Sequence, residues 1–253
     1  MLTSAIVIVA LVTLTWLISV VLRDASVIDP VWPLGFVAVA ITAFVAGDGD
    51  EGRRLLMLVL VAIWGLRLSA YLFIRNAGKG EDFRYAAMRQ RRGPNFWIIS
   101  LVSVFLLQGV LMWVVSLPVQ LGAVPSRGLG LLAVAGVVAW AIGFAFESIG
   151  DWQLARFRAN PDSRGKVLDT GLWRYTRHPN YFGDFMVWWG IFLIAAESGA
   201  GAWGFIGPVL MTVLLMKVSG AGLLEKDIEQ RRPGYADYVR RTSGFFPRPP
   251  RDG

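Results

Sequence analysis

The chain has 253 residues, of which 55% are hydrophobic and 17% are charged, and its mean hydropathy is +0.53. This composition excludes an ordinary soluble domain and indicates an integral membrane protein. The absence of cysteine excludes disulfides and thiolate chemistry, and the single histidine, His178, argues against a metal site. The net charge of +7 does not imply nucleic acid, because the basic residues cluster between apolar blocks.

Seven apolar blocks are candidates for membrane spans. In chain order they cover residues 2–22, 28–46, 55–74, 96–117, 129–146, 181–196 and 203–218. The first block has no cleavage site before Arg23 and further spans follow it, so we interpret it as a retained span. The blocks predict an all-α, multi-pass transmembrane bundle in the cell membrane, with about seven spans and six as the alternative.

The distribution of basic residues predicts the orientation of this bundle. The loops after the third and fifth blocks and the C-terminal tail contain nearly all the lysine and arginine. The positive-inside rule then places the N-terminus outside and the C-terminus in the cytoplasm, with Arg53 and Arg54 as the discordant pair. We predict that residues 1–253 form a single membrane domain, in which residues 147–184 and 225–253 form a cytoplasmic rim.

Asp29 and Arg67 are the two best candidates among the ionisable residues inside apolar blocks, where a charge is costly and a functional role is the default hypothesis. Asp29 begins the second span and Arg67 lies within the third, so the two side chains could pair near one membrane face. For Asp29 the alternative is a simple interfacial position at the end of a span. We predict that both residues are catalytic.

The predicted rim brings together three polar segments, residues 147–158, 174–184 and 225–241. Arginine donates bidentately to phosphate, aspartate and asparagine suit ribose hydroxyls, and tyrosine stacks on rings, so the mixture fits a nucleotide cofactor. A rim that binds lipid headgroups, the alternative, would need only lysine and arginine. The predicted cofactor-binding residues are Glu147, Asp151, Arg158, Arg174, Arg177, His178, Asn180, Tyr181, Asp184, Glu225, Tyr235, Tyr238 and Arg241.

Three motifs carry a resemblance to a known family. They are Phe-Glu-Ser-Ile-Gly-Asp-Trp-Gln-Leu-Ala-Arg-Phe at residues 146–157, Gly-Leu-Trp-Arg-Tyr-Thr-Arg-His-Pro-Asn-Tyr-Phe-Gly-Asp at residues 171–184, and Tyr-x-x-Tyr-x-x-Arg-Thr-Ser-x-Phe-Phe-Pro at residues 235–247, with Glu-Lys at 225–226 before the last. Together they resemble the bacterial branch of the steroid 5-alpha-reductase family, long catalogued as a domain of unknown function. The resemblance is close over roughly the C-terminal half. The N-terminal half matches in span pattern and in a few residues.

The resemblance implies a seven-helix membrane reductase that holds NADPH on its cytoplasmic side. It would reduce a carbon–carbon double bond conjugated to a carbonyl in a lipophilic substrate that enters from the bilayer, such as a steroid, an unsaturated lipid or an isoprenoid. The residues at family cofactor-contact positions are Asp151, Arg158, Asn180 and Asp184.

The resemblance also implies a substrate-binding acid and a tyrosine. Asp29 corresponds to the glutamate that polarises the substrate carbonyl, and the tyrosine position is occupied by Trp64. Indole has no transferable proton, which counts against a steroid-type enone. An Asp29 kept protonated by burial would still donate to a carbonyl.

Two other functions remain open. The Arg-His-Pro-Asn-Tyr-x-Gly run at residues 177–183 is also similar to the isoprenylcysteine carboxyl methyltransferases, which bind S-adenosylmethionine. Those enzymes usually carry paired glutamates where this chain has Leu224 and Glu225, and the Thr-Ser-x-Phe-Phe-Pro ending favours the reductase. The third hypothesis is a non-catalytic lipid-binding membrane protein.

Overall fold

The computed structural model describes residues 1–126, 128–197, 199–218 and 234–251. The regular elements in these residues are helical, and one isolated bridge joins Thr176 to Ser243. The predicted all-α fold is therefore confirmed. The helices are α1 (Leu2–Leu22), α2 (Ile28–Ala46), α3 (Glu51–Asn76), α4 (Phe83–Arg92), α5 (Phe96–Ser100), α6 (Leu107–Val115), α7 (Leu117–Gly122), α8 (Leu131–Ala159), α9 (Pro179–Ala196), α10 (Ile206–Val213) and α11 (Tyr235–Arg241).

Six helical segments of the described chain are long and apolar enough to cross a membrane, which confirms a multi-pass protein. They are Leu2–Leu22, Ala25–Ala46, Glu51–Asn76, Phe83–Val115, Leu131–Ala159 and Ala200–Lys217. Six was the alternative to our preferred seven. The difference is α9, which forms as predicted but carries the polar residues Asn180 and Asp184 in its first half and so falls outside this set.

The segment before the fourth span is helical, although we predicted a polar loop there. The helix α4 runs into α5 and α6 through a 3-10 turn, Gly93–Asn95, and a π-helical turn, Leu101–Leu106. The result is a continuous helical segment over Phe83–Val115. Its first turn is capped by Asp82, whose carboxylate accepts a hydrogen bond from the backbone N–H of Arg84 at 3.0 Å.

The chain divides into two compact units. The first contains Met1–Gly130 and Ile194–Gly207, and the second contains Leu131–Leu193 and Pro208–Gly253. The residues of each unit make most of their contacts within that unit. The single membrane domain that we predicted for residues 1–253 stays a prediction.

In the first unit, α2 and α3 pack closely where a glycine removes the side chain. A Cβ atom on Gly65 would lie 2.7 Å from a methyl group of Val37 and 2.9 Å from the carbonyl oxygen of Pro33. Trp64, beside this glycine, is fully buried and meets the ring of Phe36 edge-on at 5.6 Å. Trp64 is therefore part of the packed core between these helices.

The discordant pair Arg53 and Arg54 also belongs to the first unit. Arg53 is fully buried, and its Nη2 donates to the carbonyl oxygen of Gly128 at 2.9 Å. Arg54 donates through Nε to the carbonyl oxygen of Gly49 and through Nη1 to that of Phe44. Both arginines satisfy backbone carbonyls at helix ends and loops, which explains why they depart from the charge pattern of the other loops.

In the second unit, α8 and α9 approach so closely that their backbones touch. A Cβ atom on Gly183 would lie 2.4 Å from the backbone nitrogen of Glu147, and one on Gly143 would lie 2.6 Å from the carbonyl oxygen of Gly183. Only glycine allows this separation. The contact places the C-terminal half of α8, which we predicted to lead to the cytoplasmic side, against the beginning of α9.

The described C-terminal segment, residues 234–251, is held by backbone hydrogen bonds as well as by the rings of Phe245 and Phe246, which pack on Phe182 and Phe185. The backbone N–H of Arg177 donates to the carbonyl oxygen of Ser243 at 2.9 Å. The hydroxyl of Thr176 donates to the carbonyl oxygen of Phe245 at 2.8 Å. These bonds join the tail to the segment between α8 and α9.

Candidate functional site

The first cluster of polar groups surrounds Asp29, in the first turn of α2. Its Oδ1 accepts a hydrogen bond from the hydroxyl of Tyr85 at 2.8 Å, and its Oδ2 accepts one from Nη2 of Arg84 at 2.9 Å. The Asp29 side chain is 13% exposed. Each oxygen of the Asp29 carboxyl group thus faces one polar partner. In this geometry Asp29 orients its donors, and donation by a protonated Asp29 stays a prediction.

Tyr85 was not among the predicted residues. It lies in α4, it is 7% exposed, and its hydroxyl also accepts a hydrogen bond from Nε2 of Gln108 at 3.3 Å. The phenol beside Asp29 therefore comes from α4, while Trp64 packs in the core. The signal that would have found it is the cap at Asp82, which predicts a helix that begins just before Tyr85.

Two acids precede α4, and one of them, Glu81, attaches it to the rest of the first unit. Glu81 accepts hydrogen bonds from Nε and Nη2 of Arg89 at 2.9 and 2.7 Å, and from the backbone N–H of Ala25 at 2.8 Å. Partial burial acts to raise the pKa of Glu81, but these hydrogen bonds outweigh it and hold the pKa below its ordinary value. The same balance, with Arg84 as the donor, lowers the pKa of Asp82.

Arg67, the second predicted catalytic residue, lies half-buried in α3. The hydroxyl of Ser69, two residues further, donates to the carbonyl oxygen of Pro30 at 2.6 Å. This bond shows that α3 packs here against the end of α2 that carries Asp29. The predicted pairing of Asp29 with Arg67, and the catalytic role of both, stay predictions.

The second cluster lies in the second unit, where α8 meets α9. Nδ2 of Asn180 donates to Oδ1 of Asp151 at 3.1 Å, and Asp151 is 4% exposed. Glu147, one turn before Asp151, and Asp184, one turn after Asn180, are also buried. All four were predicted to bind the cofactor. The structure thus brings together three buried carboxyl groups and the partly exposed amide of Asn180 on two facing helices.

His178 and Tyr181 form the aromatic part of this cluster. Their rings stack at 5.4 Å with an angle of 6° between planes. The backbone N–H of His178 donates to the hydroxyl of Thr176 at 3.3 Å, and His178 is buried. The ring of the only histidine therefore packs at the start of α9.

A cleft of about 440 Å³ lies between the turn Gly171–Arg174 and α11. Three arginines line it, Arg174, Arg241 and Arg251, together with the acid Asp169. Asp169 lies 3.8 Å from Nη2 of Arg241. The cleft is thus basic and open to anions. Of the predicted cofactor-binding residues, it contains Arg174, Tyr238 and Arg241.

Hydrogen bonds connect this cleft to α8. The hydroxyl of Tyr238 donates to the carbonyl oxygen of Trp173 at 2.6 Å, and the indole of Trp173 donates to the carbonyl oxygen of Gly150 at 3.1 Å. The backbone N–H of Leu172 donates to Oε1 of Gln153 at 3.1 Å. These bonds link α8, the turn Gly171–Arg174 and α11 within the second unit.

The remaining predicted residues occupy different environments. Nη1 of Arg177 donates to the carbonyl oxygen of Val239 at 3.1 Å, so this arginine holds α11. Tyr235 is buried in α11, and Arg158 is exposed near the end of α8. Glu225 lies outside the described residues.

Comparison with known proteins places the chain in a family. Residues 15–242 match the family model DUF1295, which describes proteins of unknown function. The chain belongs to the DUF1295 family. It is also similar to the uncharacterized protein C594.04c of Schizosaccharomyces pombe, with 23% identity over 262 residues, covering 92% of this chain and 75% of that protein. No solved structure matches the chain significantly.

The DUF1295 match covers both polar clusters. It includes Asp29 and Tyr85 in the first unit, and Asp151 and Asn180 in the second. It ends at residue 242, so the tail residues that pair through their backbones, and Arg251 of the cleft, lie beyond it. The predicted match to a domain of unknown function is thereby confirmed, and the resemblance to the steroid 5-alpha-reductase family stays a prediction.

Proposed function

We propose that the protein is a membrane-embedded, NADPH-dependent reductase of a carbon–carbon double bond conjugated to a carbonyl in a lipophilic substrate. The observation that carries the proposal is the arginine-lined cleft. NADPH has a pyrophosphate and a 2′-phosphate, which arginine recognises bidentately. S-adenosylmethionine has no phosphate and carries a positive sulfonium, so Arg174, Arg241 and Arg251 favour the dinucleotide over the methyl donor.

The residues of the second unit fit such a cofactor by their chemistry. Arg174 and Arg241 would bind phosphate, because their guanidinium groups line the cleft and are exposed. Asp151 and Asn180 offer a carboxylate and an amide, which suit a ribose hydroxyl or the nicotinamide amide. NADPH supplies the hydride when bound.

The first unit would bind the substrate carbonyl. Asp29 and Gln108 position the hydroxyl of Tyr85, which would turn from Asp29 to the carbonyl oxygen when substrate binds. Donation to that oxygen would draw electron density from the conjugated double bond, so that the alkene carbon distant from the carbonyl accepts the hydride and the carbon next to the carbonyl accepts a proton from water. The products are the saturated carbonyl compound and NADP⁺.

Tyr85 also bears on the substrate class. The position that resembles the family tyrosine is Trp64, which counted against a steroid-type enone. The buried hydroxyl of Tyr85 is hydrogen-bonded to Asp29, so an acid and a tyrosine do lie side by side, although the tyrosine comes from α4 and not from α3. We therefore keep steroids, unsaturated lipids and isoprenoids that carry an enone as the proposed substrates.

The proposal is tested by the melting temperature of the purified protein in detergent. A ligand at about 100 times its Kd that binds only the folded state adds about 2.7 kcal/mol of stability. We expect a shift with NADPH and none with S-adenosylmethionine. The NADPH shift should shrink in Arg241→Gln and persist in Arg164→Gln, an exposed arginine outside the cleft.

The other outcomes decide between the hypotheses. A shift with S-adenosylmethionine alone would establish the methyltransferase in place of the reductase. A shift with neither ligand would leave the non-catalytic lipid-binding protein. If NADPH stabilises the protein, loss of NADPH absorbance in the presence of lipophilic enones then measures turnover.

A further inference from the structure

A second cleft, of about 550 Å³, lies in the first unit at the C-terminal end of α1. Its walls include two arginines and several apolar side chains, and none of them takes part in the proposed reaction. The residues that matter for its chemistry are Val20, Arg23, Arg89, Pro94, Phe96 and Trp97. The cleft therefore combines a cationic part with an apolar part.

The cleft lies where the polypeptide leaves the apolar region. The helix α1 ends at Leu22, and Arg23 follows it. Trp16 of α1 stacks on Trp97 of α5 at 6.2 Å, and the indole N–H of Trp16 donates to the carbonyl oxygen of Trp97 at 2.7 Å. Paired tryptophans of this kind are typical of the boundary between lipid tails and headgroups.

The cationic part has donors to offer a ligand. The guanidinium of Arg89 uses Nε and Nη2 for Glu81 and lies 4.5 Å from the ring centre of Phe96. Its Nη1 makes no hydrogen bond within the described residues. Arg23 is exposed, and its side-chain nitrogens make no hydrogen bond in the part of the chain that the structure describes. An anion in the cleft would thus meet unused N–H donors on two arginines.

We propose that this cleft binds an anionic phospholipid. The phosphate would lie between Arg23 and Arg89, and the first methylenes of an acyl chain would pack on Val20, Phe96 and Trp97. The apolar wall favours a lipid over free phosphate, because burying acyl carbons adds to the affinity. Two arginines with one acid partner favour an anionic headgroup over a zwitterionic one, whose ammonium group they would repel.

The test is lipid retention by the purified full-length protein in detergent, measured by native mass spectrometry. The lipids are phosphatidylglycerol and phosphatidylcholine with identical acyl chains. Arg23 has a positive φ of 53°, a conformation that asparagine tolerates, so Arg23→Asn removes the charge without backbone strain. Arg164→Asn removes an equally exposed arginine elsewhere. Unchanged melting temperatures without lipid show that both variants fold.

We expect the wild type to retain one phosphatidylglycerol in preference to phosphatidylcholine. Arg23→Asn should bind it about fivefold more weakly, while Arg164→Asn should match the wild type. Equal retention of the two lipids would overturn the proposal, as would an equal loss in both variants, which indicates a general basic surface. Displacement of the lipid by glycerol phosphate at the same concentration would show a free-phosphate site and also overturn it.

Discussion

The two polar clusters are assembled by different means. In the first unit, side chains that lie 55 and 56 residues apart in sequence meet at Asp29, and the bonds run from one side chain to another. In the second, glycines let the backbones of α8 and α9 touch, and Asp151 and Asn180 meet as a result. A network of side-chain hydrogen bonds is lost when a functional group is removed, whereas a close contact at glycine is lost when a single carbon is added. Different kinds of substitution should therefore disrupt the two clusters.

The largest expected effect is on turnover. Tyr85→Phe removes the proposed donor to the substrate carbonyl, so turnover should fall about 100- to 1,000-fold, as for loss of one donor to a developing oxyanion. Asp29→Asn should also lower turnover more than cofactor affinity. NADPH affinity, measured by the melting shift, should stay within about twofold in both variants. Tyr175→Phe, an exposed tyrosine, is the control.

Retained turnover in Tyr85→Phe would remove Tyr85 from the proposed reaction. Loss of cofactor binding in Asp29→Asn, equal to its loss of turnover, would remove Asp29.

The second-largest expected effect is on the free energy of unfolding and concerns a glycine in the second unit. Gly183→Ala forces a Cβ atom to within 2.4 Å of a backbone nitrogen of α8, and should lower the free energy of unfolding by about 2–3 kcal/mol. The melting temperature in detergent measures it. Gly128→Ala is the matched control, because its Cβ would meet the nearest atom at an ordinary 4.0 Å. Equal melting temperatures for Gly183→Ala and the wild type would show that the helices adjust freely.

A substitution in the second cluster should affect cofactor affinity and leave turnover nearly unchanged. Asn180→Ala removes the amide that bonds Asp151 at 3.1 Å, and should weaken NADPH binding about tenfold, the equivalent of one hydrogen bond to a charged group. Turnover at saturating NADPH should change little. Asn95→Ala, on an exposed turn, controls for loss of an amide. A fall in turnover with unchanged affinity would place Asn180 in the reaction and not in cofactor binding.

The smallest effect is the pH dependence of the first unit. The folded-state pKa of Glu81 is lowered, so its contribution is present above its ordinary pKa of 4.5 and is lost as pH falls through the lower folded value. Glu81→Gln should cost about 0.5 kcal/mol at pH 7 and progressively less as the pH falls below 4.5. Melting temperatures of the variant and the wild type between pH 7 and pH 3 check this, with Asp48→Asn, an exposed acid, as control. A difference that does not shrink as the pH falls would assign the effect to packing.

The spans were predictable because the length of an apolar block limits where a helix can cross. The first block, residues 2–22, coincides with α1. The second cluster was also predictable from the sequence, since its residues lie at the end of one apolar block and the start of another. Their binding roles stay predictions.

The first cluster was predictable only in part. Asp29 stands out as an acid in an apolar block, but its partner Tyr85 lies in an arginine-rich segment that we predicted as a loop. The cap at Asp82 is a local signal for this helix, but the bonds that attach it to the rest of the first unit, such as that of Glu81 with the N–H of Ala25, span 56 residues. No local pattern records such a contact. The same holds for Arg53, whose bond to Gly128 spans 75 residues.

The way the tail is held has a consequence for the changes it tolerates. Ser243 and Phe245 accept hydrogen bonds through their carbonyl oxygens, and Arg248 donates through its backbone N–H to the carbonyl oxygen of Tyr175. Exchanging a side chain leaves such bonds intact, whereas inserting or deleting one residue shifts each later bond out of register. A gap in this stretch should therefore be more damaging than a substitution at Ser243 or Arg248, whose bonds to the preceding segment are made by backbone atoms.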